Sequence, residues 1–159
     1  MADPHRPFRA SYLVSGSPQE RIFAALLDVR RFPEWALGLR RVRVLVDATS
    51  GTETSEVHPG VALAFTLSAA GLTHRVVGTV TAVEPPHRLE WRYAEGVTGS
   101  GSWLLEGAGQ GIVRLTLSTD YRITPTWLDG IAHRPFFRRL VEELLRRSIC
   151  RFERYLGEA

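Results

Sequence analysis

The sequence predicts an α+β domain in which a curved antiparallel sheet of six to seven strands wraps around a long C-terminal helix, with two short helices after the first strand. Apolar and polar residues alternate in a series of short segments from Val42 to Tyr121. Apolar residues then recur at three- and four-residue steps to the end of the chain. These two periods are typical of half-buried strands and of an amphipathic helix, respectively.

The chain opens on a strand and a helix. Phe8 to Ser15 alternates, with Tyr12 on one face. Ser17 suits an N-cap position and Pro18 the first helical position, and Glu20 would complete a capping box with Ser17. We therefore predict a capped helix that begins at Pro18.

A second, shorter helical turn is predicted after a break in the chain. Pro33 interrupts the helical pattern, so we expect a separate turn from Phe32 to Leu37. A short strand is expected at Thr54 to Val57. Gly99 and Gly101, inside a later strand, are expected to mark a bulge or a bend of the sheet.

The final segment is the clearest helix. Pro135 to Leu156 would span about 33 Å at about 1.5 Å per residue. Glu142–Arg146 and Glu143–Arg147 have the spacing of favourable ion pairs on its polar side. A helix this long with one apolar stripe must cover a large apolar surface, which a curved sheet supplies.

Four segments of the chain resemble a known family. They are similar to the bacterial polyketide cyclase/dehydrase and lipid transport group, within the Bet v 1-like and START-related (SRPBCC) superfamily, whose fold is the helix grip. The segments are Ser17–Phe23, Phe32–Trp35, Val83–Leu89 and Gly101–Trp103. The resemblance implies one domain over residues 1–159, with an ordered core of about 8–156, and a hydrophobic ligand held between the sheet and the long helix. The family shares no universal catalytic motif.

Composition limits the other functions. Cys150 is the only cysteine, so no intrachain disulfide or thiolate metal cluster is expected. The N-terminus lacks an apolar signal core and no apolar segment is long enough to span a bilayer, so we expect a cytoplasmic protein without stable membrane insertion. All 20 residues counted as Lys+Arg are arginine, which excludes a Schiff-base lysine.

Nucleic-acid and membrane-surface partners are not favoured by the charge pattern. The formal net charge is +3, and the arginines are scattered. Glu142, Glu143 and Glu153 interrupt the region where they are densest. We therefore expect no nucleic-acid partner, no metal and no cofactor, whereas a homodimer stays open.

The inward faces of the strands and the last helix should line a cavity. His74 is the main polar candidate, either as a ligand anchor or, alternatively, as a core histidine bonded to a neighbour. Candidates for acid–base catalysis are His74, Tyr12 and Tyr121. The expected ligand-binding residues are Tyr12, Trp35, Phe65, His74, Val76, Trp91, Trp103, Thr119, Tyr121, Phe137, Leu140 and Leu144.

Three functions remain open at this point. The first is a binding protein for a lipid, polyketide or quinone-like molecule. The second is an aromatic polyketide cyclase or dehydratase, in which His74 and a tyrosine move protons. The third is a protein-interaction module that uses the arginine-rich side of the last helix. A segment at 124–131, with Trp127, is expected either to cover the cavity or merely to connect the sheet to the helix.

Overall fold

The structure is a computed structural model that describes residues 7–69, 71–123, 130–131 and 134–158. Most of the expected cover segment, including Trp127, lies outside these residues. The elements follow in the order β1 (Phe8–Ser15), α1 (Gln19–Leu27), a 3₁₀ helix (Val29–Glu34), β2 (Leu39–Leu45), β3 (Ala62–Ala69), β4 (Leu72–Glu84), β5 (Arg88–Glu95), β6 (Val97–Gly107), β7 (Ile112–Ile123) and α2 (Pro135–Glu158).

The seven strands form one antiparallel sheet in the order β1-β7-β6-β5-β4-β3-β2. The predicted α+β helix-grip architecture is therefore confirmed. The register confirms the predicted strand faces, since Phe65 lies opposite Val76 and Trp91 lies opposite Gly101. Their side chains share the concave face, over which α2 lies. Among the described residues, no helix is both long and apolar enough to cross a membrane.

The start of α1 differs from the prediction. Pro18 has an extended backbone (ψ 151°) and is itself the N-cap, and no side chain caps the helix. The Pro18 carbonyl accepts the first helical hydrogen bonds, from the N–H groups of Arg21 and Ile22. The predicted capping box of Ser17 and Glu20 is therefore wrong, because the helix begins one residue later than its spacing requires.

The second helical turn is a 3₁₀ helix that begins at Val29, three residues before the predicted turn of Phe32 to Leu37. Pro33 lies inside it, because a helix this short leaves the proline ring few earlier carbonyls to clash with. The predicted strand at Thr54 to Val57 is also wrong. The structure gives that region a single bridge, between Leu45 and Glu53.

The apolar core fills one end of the concave face, which we call the closed end. It consists of α1, the residues of α2 from Ser148 onward, and the sheet around Leu89, Leu105 and Leu115. All the buried residues of α2 lie in its second half: Ser148, Ile149, Phe152 and Leu156. The first half of α2, residues 135–147, has no buried residue. The helix therefore seals the closed end and lies only loosely over the rest of the sheet.

Hydrogen bonds hold α2 to the 3₁₀ helix and to the residues after it. The Ser148 hydroxyl accepts a hydrogen bond from the Leu37 N–H (2.8 Å) and donates one to the Leu144 carbonyl (2.6 Å). The Arg151 guanidinium donates to the Glu34 carbonyl at 3.0 Å. The bonds to Leu37 and Glu34 hold α2 at a fixed height above the sheet, whereas the bond to Leu144 lies within the helix.

We expect Ser148→Ala to lower the free energy of unfolding by about 1–3 kcal/mol, because the partly buried Leu37 N–H loses its acceptor. Urea denaturation followed by circular dichroism measures the change. Cys150→Ala is the control, since Cys150 lies two residues away on the same helix and is exposed. Equal stabilities of the two variants would contradict this role of Ser148.

The polar side of α2 carries one acidic residue with two arginine partners. Arg146 and Arg147 donate to the Glu143 carboxylate at 2.6 and 2.9 Å. These hydrogen bonds, that of Arg146 first, lower the pKa of Glu143 to about 2. The predicted Glu143–Arg147 pair is confirmed, whereas Arg146 contacts Glu143 rather than the predicted Glu142, because residues three apart also face each other on a helix.

Candidate functional site

A cavity of about 560 Å³ lies between the concave face of the sheet and the first half of α2. We call this end of the molecule the open end: the last residues of β3, β5 and β7, the first residues of β4 and β6, and residues 135–147 of α2. Leu67, near the end of β3, lines the cavity and is 40% exposed, so the cavity reaches solvent there. The wall is formed almost entirely by aliphatic and aromatic side chains.

Ten of the predicted ligand-binding residues line this cavity. They are Trp35, Phe65, His74, Val76, Trp91, Trp103, Thr119, Tyr121, Phe137 and Leu144. The structure thus brings together residues from five strands, the region after the 3₁₀ helix, and α2. Their contact with a ligand stays a prediction.

Tyr12 and Leu140 are not part of the described lining. Tyr12 lies on β1 opposite the fully buried Leu115 and packs against the closed-end core. Burial, and then the negative charge of Glu142, raise the pKa of Tyr12. On α2 the lining residues include Val141 and Leu144, and Leu140 lies about 100° around the helix from Val141. Inward alternation and helical spacing alone do not distinguish core positions from cavity positions.

His74 lines the cavity and also has a partner. Its Nε2 lies 2.8 Å from the Gly96 carbonyl oxygen, which can only accept, so Nε2 carries the proton. In the neutral ring, Nδ1 is then an acceptor, and it has no partner within the described residues. Gly96 has a φ of +81°, and a Cβ there would lie 2.2 Å from the Arg75 carbonyl oxygen. Glycine at this position therefore keeps the carbonyl close to His74.

A second polar group comes from Tyr93, which shares the inward face of β5 with Trp91 but was not among the expected ligand-binding residues. Its hydroxyl lies 3.0 Å from the Thr119 hydroxyl, which in turn lies 3.4 Å from the Ser100 carbonyl oxygen. The carbonyl accepts from Thr119, so Thr119 accepts from Tyr93. Tyr93 and Thr119 both line the cavity. Because the Tyr93 hydroxyl donates to Thr119, its oxygen can still accept a hydrogen bond.

The indole of Trp91 lies flat against the backbone of the neighbouring strand. A Cβ at Gly101 would lie 2.4–2.6 Å from three indole atoms, Cζ2, Cε2 and Nε1. Gly78, on the other side, would place its Cβ 3.4 Å from the indole Cδ1. Gly99 pairs with Tyr121, and Gly101 with Thr119 and Trp91, without a register shift, so neither glycine marks a bulge, and a bend of the sheet there stays a prediction. Gly101 instead permits close approach of a side chain.

Trp35 forms the wall between the cavity and the closed end. It is 3% exposed, and its ring centroid lies 4.5 Å from that of Phe152 and 4.8 Å from that of Phe32. Its Nε1 is buried and has no hydrogen-bond partner in the described part of the chain. The Phe-Pro-Glu-Trp segment thus supplies an aromatic partition.

The site as a whole is an apolar container with a few polar atoms. Such a site binds apolar molecules and orients them through a small number of hydrogen bonds. Over the ranges that the structure describes, no three His, Cys, Asp or Glu side chains cluster closely enough to hold a metal ion. The chemistry available to the described lining is hydrogen bonding and proton exchange at His74 and the tyrosines.

Solved structures share this fold at low sequence identity. The TTHA0849 protein of Thermus thermophilus is 16% identical, with a TM-score of 0.75 and coverage of 96% of this chain and 98% of that one. A START superfamily protein from Mycobacterium smegmatis is 13% identical (TM-score 0.68; 96% and 97% covered). The Zhui aromatase/cyclase from Streptomyces sp. R1128 is 18% identical (TM-score 0.66; 96% and 92% covered). At these identities the likeness shows the fold alone.

Sequence comparison gives the family. A search of curated proteins found no match to the chain. The family model described as polyketide cyclase/dehydrase and lipid transport matches residues 8–157, which is nearly the whole chain and includes the predicted motifs. The chain belongs to the polyketide cyclase/dehydrase and lipid transport family.

Proposed function

We propose that this protein binds a small, largely apolar molecule, such as a lipid, a polyketide or a quinone-like compound, in the cavity between its sheet and α2. The observation that carries the proposal is a cavity of about 560 Å³ with an apolar wall. This volume lies within the range of about 300–1,000 Å³ that is usual for small-molecule sites. The membership of a family named for cyclases and lipid transport supports the same conclusion.

The polar atoms of the wall would orient the ligand. Nδ1 of His74 accepts a hydrogen bond from a ligand hydroxyl, and the Tyr93 oxygen is a second acceptor. Both lie toward the open end, whereas the partition at Trp35 is aromatic. A ligand with a hydroxyl at one end and an apolar body therefore fits with its hydroxyl toward the open end.

Native mass spectrometry of gently purified protein tests the proposal. We expect the mass of the wild-type protein to include that of a co-purified ligand. The ligand should be absent from Leu144→Trp, because Leu144 lines the cavity and tryptophan fills it. Leu13→Trp is the control, since Leu13 is 57% exposed on the outer face of β1. Circular dichroism establishes that both variants fold. If the wild-type protein carries no such mass and takes up neither N-phenyl-1-naphthylamine nor 2-naphthol, the binding function is refuted.

We expect His74→Ala to weaken the binding of 2-naphthol by about three- to tenfold, the value of one net hydrogen bond. The binding of 2-methoxynaphthalene, which has no hydroxyl to donate, should stay within about twofold. Fluorescence titration measures both. His58→Ala is the control, because His58 is exposed and bonds only to Pro59 next to it. Equal losses for both ligands would contradict a hydrogen bond at Nδ1.

A cyclase or dehydratase is the second candidate. It is favoured by one observation: His74 lines the cavity, and its Nδ1 has no partner within the described residues, so this nitrogen could take a proton from a bound carbonyl compound. Turnover of a poly-β-keto substrate that is lost in His74→Phe would support it. Binding of that substrate without turnover would support the carrier. An interaction module has less support, because side chains do not fill the cavity.

A further inference from the structure

The open end carries exposed apolar side chains beside the cavity. Phe136, in the first turn of α2, is 60% exposed. Its ring meets the ring of Phe137 edge-on, with centroids 6.5 Å apart, and Phe137 lines the cavity. Leu67, on the sheet side, also lines the cavity and is 40% exposed. Two large apolar side chains thus stand in solvent where the cavity opens.

Arginines lie on both sides of Phe136 in the sequence, directly before α2 and in its first turns. Arg134, Arg138 and Arg139 flank Phe136, and no acidic residue occurs in the sequence between Arg134 and Glu142. Within the described part of the chain, none of the three forms an ion pair. Positive charge at a helix N-terminus opposes the helix dipole and lowers stability, so these positions are poor ones for a merely structural arginine.

The sheet adds positive charge at the same end. Arg75 follows His74 near the start of β4, and Arg122 precedes the last residue of β7; both are exposed. Arg40, near the start of β2, is also exposed, and its neighbour Leu39 pairs with Leu67. The antiparallel order brings these three strand ends together. Two exposed acidic residues, Glu95 at the end of β5 and Asp120 near the end of β7, lie at the same edge of the sheet. With Arg134, Arg138 and Arg139, the arginines at this end outnumber them, so the rim of the cavity carries a positive excess beside its apolar side chains, although the net charge of the chain is only +3.

We propose that the open end docks reversibly on the surface of an anionic lipid bilayer. Phe136 and Leu67 enter the headgroup region, and Arg134, Arg138 and Arg139 contact the lipid phosphates. A cluster of arginines with exposed apolar side chains is the combination that interfacial binding uses. An acidic protein would match the positive charge of the arginines, but its acidic surface would not supply apolar groups to bury Phe136.

Docking on a bilayer extends the proposed binding function, and its biological purpose rests on that function. A ligand that suits an almost wholly apolar wall partitions into bilayers, so a protein that binds it must collect or release it there. Docking through the rim places the cavity opening against the lipid. The loosely packed first half of α2 is the element that lies between the ligand and the membrane.

The sequence alone did not favour a membrane surface, because glutamates interrupt the arginines of the last helix. The structure changes that assessment. Glu143 is engaged by Arg146 and Arg147, farther along α2. Glu142 acts electrostatically on Tyr12, on the β1 side. Within the described residues, neither glutamate forms an ion pair with Arg134, Arg138 or Arg139.

Vesicle flotation with the full chain tests the proposal. We expect binding to vesicles that contain phosphatidylglycerol, little binding to pure phosphatidylcholine, and weakening as salt is raised. The double variant Arg138→Gln, Arg139→Gln should lose about 25-fold, at about fivefold for each arginine. Phe136→Ser should lose about tenfold. The matched controls are Leu13→Ser and the double variant Arg9→Gln, Arg114→Gln, which change exposed residues of the outer sheet face and should stay within about twofold.

Three outcomes would overturn docking. The first is failure of the wild-type protein to float with phosphatidylglycerol, and the second is equal losses in the rim variants and the controls. The third is binding to soluble polyglutamate as tight as to the vesicles, with Phe136→Ser changing neither affinity, which would indicate an acidic protein partner. N-phenyl-1-naphthylamine binding is measured in parallel. Rim variants should keep it, so loss of docking and loss of ligand binding are told apart.

Discussion

Phe152→Ala should lower the free energy of unfolding by about 3–5 kcal/mol, one of the two largest effects that the structure predicts. Phe152 is fully buried, and its ring lies 4.5 Å from that of Trp35. Its removal leaves a cavity under the second half of α2, where all the burial of this helix is concentrated. Because Trp35 also lines the ligand cavity, the variant should weaken ligand binding as well.

Phe136→Ala is the matched control for that measurement. It removes the same side chain from the same helix, but at a position that is 60% exposed. Surface substitutions of this kind usually change stability by less than about 0.5 kcal/mol. Urea denaturation of the two variants gives the comparison. A loss below about 1 kcal/mol for Phe152→Ala would contradict the assignment of the closed end as the stable core.

Gly101→Ala should reduce the affinity for a planar ligand such as 2-naphthol by tenfold or more. The added Cβ would lie within 2.6 Å of three atoms of the Trp91 indole, far inside van der Waals contact. The strand backbone cannot retreat without breaking its pairing, so the indole must leave the sheet and enter the cavity. The affected quantity is therefore binding, more than folding.

Gly107→Ala provides the control on the same strand. A Cβ at Gly107 meets no atom within 4 Å, and Gly107 lacks the positive φ that an alanine would resist. Fluorescence titration of both variants, with the indole emission as a second signal, measures the effect. If Gly101→Ala binds 2-naphthol as tightly as Gly107→Ala, Trp91 does not form the wall of an occupied site.

The fold could be predicted from the sequence because each element carries a strong period. The alternation around Phe65 and Trp91 determined which side chains face inward, since a strand has only two faces. The spacing of Phe152 and Leu156 with the other apolar residues of the last helix determined its buried stripe. Helix boundaries were less predictable. The caps depend on backbone angles such as ψ of Pro18, which a residue pattern does not specify.

The site was only partly predictable, because a cavity depends on how far α2 stands from the sheet. Tyr12 and Trp103 both face inward, yet of these two only Trp103 lines the cavity. The height of the helix is set by the bonds that join Ser148 to the Leu37 N–H and Arg151 to the Glu34 carbonyl, and a lone serine on an apolar stripe was the one available signal for the first of them. The partner of His74 depends on a carbonyl 22 residues away in sequence, which no local pattern reveals.

The division of α2 at Ser148 has a consequence for how the protein can evolve. Residues after this point carry the burial that stability requires, whereas residues before it contact the ligand space and the solvent. Substitutions in 135–147 can therefore alter specificity with little loss of stability, and the same element can tolerate local opening while the closed end stays folded. One continuous helix thus combines a half that maintains the fold with a half that is free to diversify.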